Sequence, residues 1–204
     1  MDAGIALIVG LGNPGERYME TRHNAGFRFL ATAAGKFGVE MRRESRFKAD
    51  IGRYDGGAHR VWLMMPQTFM NLSGAAVAPF VRYYKIEPAH LLVAYDDVDL
   101  PPGTVRLKRG GGEGGHNGLR DIVQKLGSAE FMRLRIGVGH PGSSDEVPDY
   151  VLRRAPTNEQ ALTDAAIDEA LRHLADIVAG HYQLVMNSLH RKNDEASATS
   201  KPAG

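Results

Sequence analysis

The chain contains no cysteine, which excludes a disulfide framework, a thiolate nucleophile and a cysteine-built zinc site. It has no uninterrupted apolar stretch of bilayer length, and residues 1–20 lack a basic segment followed by a long apolar core. Membrane insertion and secretion are therefore not expected, and the cytoplasm is the expected location. Internal repeats and interdomain linkers are also missing. Net charge is nearly absent, since 25 Lys and Arg face 24 Asp and Glu. With 43% hydrophobic and 24% charged residues over 204 positions, the composition is that of an ordinary globular chain able to bury a sizeable core. One domain over residues 1–192 is expected, followed by a polar, disordered tail over 193–204.

The small net charge hides a regional bias. Residues 101–140 carry seven basic side chains (Arg106, Lys108, Arg109, Arg120, Lys125, Arg133, Arg135) against three acids (Glu113, Asp121, Glu130), a local excess of +4. Such a segment is either a solvated face or a patch for a polyanion, because phosphate contacts draw on Lys and Arg.

Apolar β-type runs alternate with helical patterns. Ile5–Val9, Lys48–Tyr54, Arg60–Met64, Leu91–Tyr95, Thr104–Lys108 and Leu134–Val138 read as strands, with Asp55-Gly56-Gly57 as a hairpin turn. Asn24–Phe37, Met70–Tyr84 and Leu119–Leu126 read as helices, and Asn117 is the expected N-cap of the last of these. Thr157-Asn158-Glu159-Gln160 is a capping box opening one long amphipathic helix that stops at Gly180, and a shorter helical segment, His181–His190, follows. This order predicts an α/β sandwich, a mixed, partly parallel twisted sheet flanked by helices.

The run from Leu7 to Gly26 concentrates the chemistry. Gly10-x-Gly12-x-x-Gly15 matches the dinucleotide fingerprint as letters. A pyrophosphate site, however, requires the helix to open at the glycines. Here Pro14 follows Asn13, and apolar positions at helical spacing begin only at Phe27, so a nicotinamide or flavin site is not expected. His23 stands at a loop-to-helix junction, where an imidazole is a cap, a surface residue or a general base. A carboxylate from Tyr95-Asp96-Asp97-Val98-Asp99 can reach it, because the carboxyl ends of parallel strands gather at one edge. Residue order leaves open which acid points inward.

Two further clusters stand out. Gly110-Gly111-Gly112-Glu113-Gly114-Gly115-His116-Asn117-Gly118 lacks the Gly-Lys-Ser/Thr ending of a Walker loop but lets backbone approach a ligand closely. Pro66-Gln67-Thr68-Phe69-Met70-Asn71-Leu72-Ser73-Gly74 opens another helix, and capping alone would account for Asn71 or Ser73.

Leu11-Gly-Asn-Pro-Gly15, Thr21-Arg-His-Asn-Ala-Gly26, Pro66 to Gly74, Asp96 with Asp99-Leu-Pro-Pro-Gly103, Gly110 to Gly118 and Arg133-Leu-Arg-Ile-Gly-Val-Gly-His-Pro-Gly142 occur in one colinear register over residues 5–190. Together they resemble the bacterial peptidyl-tRNA hydrolases. The resemblance implies that His23 is the catalytic base and Asp96 the acid that stabilises its basic form. It implies that Asn13 helps tell N-blocked from free aminoacyl-tRNA, and that Tyr18, Phe69, Asn71 and Asn117 line the site for the peptide and the tRNA 3′ end. His116 is counted with these substrate-binding residues, and Met70 matches a cleft wall. Arg106, Lys108 and Arg135 fall on positions expected to hold tRNA phosphates. Peptidyl-tRNA is the implied partner, with no metal, no cofactor, no membrane and no obligate protein partner, and a monomer is expected. The departures are Tyr95 where some members have His, Glu113 in the glycine loop, and a longer polar tail.

The implied chemistry suits these residue types. An ester between peptide and ribose is more reactive than an amide, so an activated water suffices, and general-base help supplies about 10² to 10⁴ in rate. Asn71, Asn117 or a backbone N–H is available for the oxyanion. Residue order leaves open whether the glycine loop or the Val147–Arg153 segment closes over substrate. A catalytically dead RNA-binding protein on the same scaffold is the alternative, and the intact set His23, Asp96, Asn13 and Asn71 speaks against it.

Overall fold

The structure is a computed structural model that describes residues 4–55 and 60–189. Its strands are β1 (Leu7–Gly10), β2 (Arg42–Glu44), β3 (Ala49–Tyr54), β4 (Val61–Pro66), β5 (Leu91–Asp97), β6 (Val105–Arg109) and β7 (Met132–Gly137). They form one seven-stranded sheet in the order β2-β3-β4-β1-β5-β7-β6. The four central strands β4, β1, β5 and β7 run parallel, while β2 and β3 on one side and β6 on the other pair antiparallel. Strand β1 (Leu-Ile-Val-Gly) and all of β5 are buried, as expected of parallel strands covered on both faces. The α/β expectation is therefore borne out.

Helices α1 (Ala25–Phe37), α5 (Thr157–Arg172) and α6 (Leu174–Ala179) cover one face. Phe29, Leu30, Ile167, Ala170, Leu174 and Ile177 pack there with Ile8, Leu92 and Leu134. Helices α2 (Ser73–Tyr83) and α3 (Asn117–Leu126) cover the other, where Val77, Phe80, Leu119 and Ile122 meet Leu7, Val9 and Val93. A short helix α4 (Val147–Val151) lies between β7 and α5 in the chain.

Two of the fingerprint glycines, Gly10 and Gly12, serve packing, together with Gly26 of α1. Gly26 sits where Leu11 N–H bonds the Ala94 carbonyl (2.9 Å) and Phe27 N–H bonds the Leu11 carbonyl (3.0 Å). A Cβ there would stand 2.5 Å from the Leu11 nitrogen. A Cβ on Gly10 would stand 2.9 Å from the Gly26 carbonyl carbon, and one on Gly12 would enter the Phe27 ring. The glycines thus bring α1 onto β1 at backbone contact distance.

Several sequence expectations need correction. Strand β2 was not expected. Its three residues, Arg-Arg-Glu, are all exposed, so it has no apolar alternation to betray it and reads as a charged edge that discourages further pairing. The last long helix is two. His173 donates its N–H to the Ala170 carbonyl, three residues back (3.1 Å), and takes φ −95° and ψ 2°. Because α5 and α6 bury the same face, the apolar pattern runs through the break. The capping box does not form either, since α5 is preceded by Pro156 with no side-chain cap. Glu159 and Gln160 instead accept from Arg22 (2.9 Å) and Arg28 (2.8 Å), so tertiary partners outcompete the cap. Helix follows over 182–189. Gly56 and Gly57 of the hairpin turn, and the tail over 193–204, lie outside the described residues.

Candidate active site

All four parallel strands end on one edge, and the loops leaving them meet there. Strand β5 runs on through Asp96 and Asp97, so the acid stands on the strand rather than beyond it. Asp96 is 2% exposed. His23 Nδ1 lies 2.9 Å from each Asp96 oxygen, and His116 Nε2 lies 3.1 Å from Oδ1. Asp97 instead accepts from Arg135 Nε (2.7 Å) and from Asp99 N–H (2.9 Å). The choice among the three acids, open in the sequence, falls on Asp96.

His23 occupies a short 3-10 turn, Arg22–Asn24, that leads into α1. Arg22 fixes this turn. Its guanidinium is buried, 2.9 Å from Glu159, 3.2 Å from the Arg154 carbonyl and stacked 4.0 Å over the Tyr150 ring. Asn24 exchanges two bonds with the Asn13 backbone, at 2.8 and 3.0 Å, and Asn13 Oδ1 accepts the Met70 N–H at 2.8 Å. With its oxygen so occupied, Asn13 offers the cleft its Nδ2 donors.

The electrostatics follow from burial and pairing. Burial lowers the His23 pKa, but the charge of Asp96 and its hydrogen bond outweigh this and hold the ring above its ordinary value. Burial pushes the Asp96 carboxyl up, yet the two imidazoles pull it well below the usual carboxylate range. The ion pair therefore keeps the Asp96 charge in place and orients His23 with Nδ1–H toward it. The lone pair of neutral His23 is then on Nε2. Burial, reinforced by Asp97, pushes the Tyr95 hydroxyl up to about 12, so it stays protonated.

A cleft of about 870 Å³ opens beside this pair. Asn13, Tyr18, His23, Phe69, Met70, Asn71, Asp96, Lys108, His116, Asn117 and Arg135 all line it. Phe69 is 55% exposed, a ring free to take an apolar group, whereas Met70 is buried and forms wall. Arg106 is the exception. It lines a separate hollow of about 290 Å³ with Lys108 and Arg135, because i and i+2 on β6 share a face but reach different ends of it. Asn117 is the first residue of α3 and not its cap. His116 is the cap, and Asn117 Oδ1 accepts from Arg120 at 3.1 Å.

The basic segment is smaller in space than in sequence. Arg133 is 1% exposed and donates to the Gly112 and Gly111 carbonyls at 2.6 and 2.7 Å, pinning the glycine loop from below. Arg135 is paired with Asp97, and Lys125 with Asp121. Lys108 is exposed at the cleft. Sequence reading missed three contributors: Arg133, Arg22 and the cleft-lining His140. The signal for Arg133 was its place among Phe131, Met132, Leu134 and Ile136, an apolar run where a charge needs a dedicated partner.

His23, Asp96 and His116 also bring possible ligand atoms within 4.8 Å of one another. A cation there fits poorly. His116 Nδ1 accepts the Leu119 N–H at 3.3 Å, and metallating Nε2 would move the ring proton to Nδ1, against that donor.

Residues 7–197 match the family model described as peptidyl-tRNA hydrolase. A peptidyl-tRNA hydrolase of Acinetobacter baumannii (strain AYE) is 49% identical over 188 residues, 92% of this chain and 97% of that one. One from Coxiella burnetii (strain CbuG_Q212) is 47% identical over 190 residues, covering 93% and 100%. The crystal structure of peptidyl-tRNA hydrolase from Acinetobacter baumannii superposes with a TM-score of 0.90 at 49% identity, over 93% of this chain and 96% of that one. The chain belongs to the peptidyl-tRNA hydrolase family.

Proposed function

We propose that this protein hydrolyses the ester joining a peptide, or an N-blocked amino acid, to tRNA, with His23 as general base. What carries the reading is the His23–Asp96 pair, with both carboxylate oxygens 2.9 Å from Nδ1. Nε2 takes a proton from water as that water attacks the ester carbonyl, and Asp96 stabilises the imidazolium that forms. The proton then passes to the ribose oxygen as the C–O bond breaks, leaving free tRNA and a peptide carboxylate. Asn13, Asn71 and Asn117 bind the peptide backbone common to all sequences, and Tyr18 and Phe69 receive the tRNA 3′ end. Lys108 holds phosphate, with Arg135 and Arg106 as flanking charges. A monomer with one catalytic domain over 1–192 completes the proposal. A tRNA substrate supports work in the cytoplasm.

The test is turnover of N-acetylated aminoacyl-tRNA at pH 7. Release of free tRNA supports hydrolysis, whereas retention of intact substrate would favour the binding module. Asp96→Asn gives a signed prediction. Removing the charge that raises the His23 pKa moves the acid limb of kcat/KM to lower pH. The plateau falls by about 10² to 10⁴, because an amide no longer fixes the tautomer. An acid limb that stays in place would remove Asp96 from this role. Lys108→Ala should raise KM more than it lowers kcat and reduce the salt slope of binding by about one; an equal loss in kcat would contradict a phosphate contact.

A further inference from the structure

His116 has two ring nitrogens, and both are already engaged. Nδ1 accepts the Leu119 N–H at the start of α3 (3.3 Å), and Nε2 lies 3.1 Å from Asp96 Oδ1. The side chain is 7% exposed and its ring meets Tyr95 edge-on at 5.0 Å. A neutral imidazole has one donor and one acceptor. A backbone N–H can only be met by an acceptor and a carboxylate only by a donor, so the ring is fixed as the Nε2–H tautomer with no polar atom left for substrate.

We infer that His116 is a positioning residue, a clamp by which the N-terminus of α3 holds Asp96 against His23. Two consequences follow, both resting on the proposal that His23 is the base. The clamp fixes the rotation of the carboxylate, so that its two oxygens address His23 Nδ1 together. It also divides the carboxylate's charge between two donors, which tempers the basicity Asp96 confers on His23. The groups facing this unit are His23 from the turn before α1, Arg28 of α1, which feels the Asp96 charge, Tyr95 from β5, and the Asp97–Arg135 pair beyond it.

His116→Asn separates the two engagements, because asparagine is a good N-cap but too short to reach Asp96. The variant should melt below wild type, because buried Asp96 loses a donor, but above His116→Ala, which loses the cap as well. Its kcat should be about tenfold lower, the order that one charge-assisted hydrogen bond represents, with KM within about twofold. Its acid limb should move to higher pH by about half a unit, since Asp96 then serves His23 alone. His116→Ala, which loses both engagements, should melt lower and show the same kcat loss. Nitrogen-15 spectra of the wild-type protein at pH 7 should show His116 protonated at Nε2 and bare at Nδ1. A His116→Asn enzyme with wild-type kcat and pH profile would reduce His116 to a cap. A raised KM with unchanged kcat would make it a substrate contact, and an Nδ1–H or doubly protonated ring would rule out the clamp. Failure of the general-base reading is distinguishable, because it would appear as turnover by His23→Ala whatever the His116 tautomer.

Discussion

Gly26→Ala is expected to destabilise the fold by about 3 kcal/mol, at the upper end of overpacking penalties. The added methyl would stand 2.5 Å from the Leu11 nitrogen and 2.6 Å from its carbonyl oxygen, and closer still to the Ala94 carbonyl. None of these atoms is a flexible side-chain end, and all three belong to the bonds that splice the exit of β1 to β5 and to α1. Relief therefore requires α1 to back away from the sheet, which loosens Phe29 and Leu30 in the core and carries His23 off Asp96. Urea denaturation monitored by far-ultraviolet circular dichroism measures the loss. A variant within about 0.5 kcal/mol of wild type would show that the helix is not seated at backbone contact. Gly35→Ala is the control, since a Cβ there meets nothing within 4 Å.

The same glycines show what residue order can and cannot convey. Gly10-x-Gly12-x-x-Gly15 signals close backbone approach, and the distance to the first apolar helical positions rightly excludes a pyrophosphate. The letters do not name the partner, which for Gly10 and Gly12 is α1 itself. The alternation of apolar strands and amphipathic helices was legible because burial on two faces leaves a continuous apolar run in β5 and a stripe on α1. Strand β2 was not, since an exposed, charged edge buries nothing. Asn117 looked like a cap because asparagine caps well, yet His116, one residue earlier, holds the helix end through a bond to Leu119. Choosing between them required three dimensions, as did choosing Asp96 over Asp97 and Asp99. The +4 segment misleads for a related reason. Counting charges cannot see that Arg133 points inward onto loop carbonyls and that Arg135 is met by Asp97.

His23→Ala should lower kcat by about 10² to 10⁴, the range attributable to a general base, while tRNA affinity stays within a few-fold. The separation follows from geometry. His23 is 9% exposed and spends Nδ1 on Asp96, so it contributes one nitrogen to the cleft, whereas the exposed groups at the cleft proposed to hold tRNA, Lys108 and Phe69 among them, come from other elements of the chain. Loss of the imidazole also strands the Asp96 carboxylate with His116 as its remaining partner among the described side chains. A moderate fall in stability should therefore accompany the kinetic loss.

The most direct measurement is single-turnover hydrolysis of N-acetylaminoacyl-tRNA at pH 7 by His23→Ala, beside wild type and with tRNA binding measured on the same preparations. The His23→Ala protein should bind the substrate and hydrolyse it at a rate reduced by about 10² or more. Hydrolysis at near wild-type rate by a folded, tRNA-binding His23→Ala protein would contradict the assignment of His23 as general base.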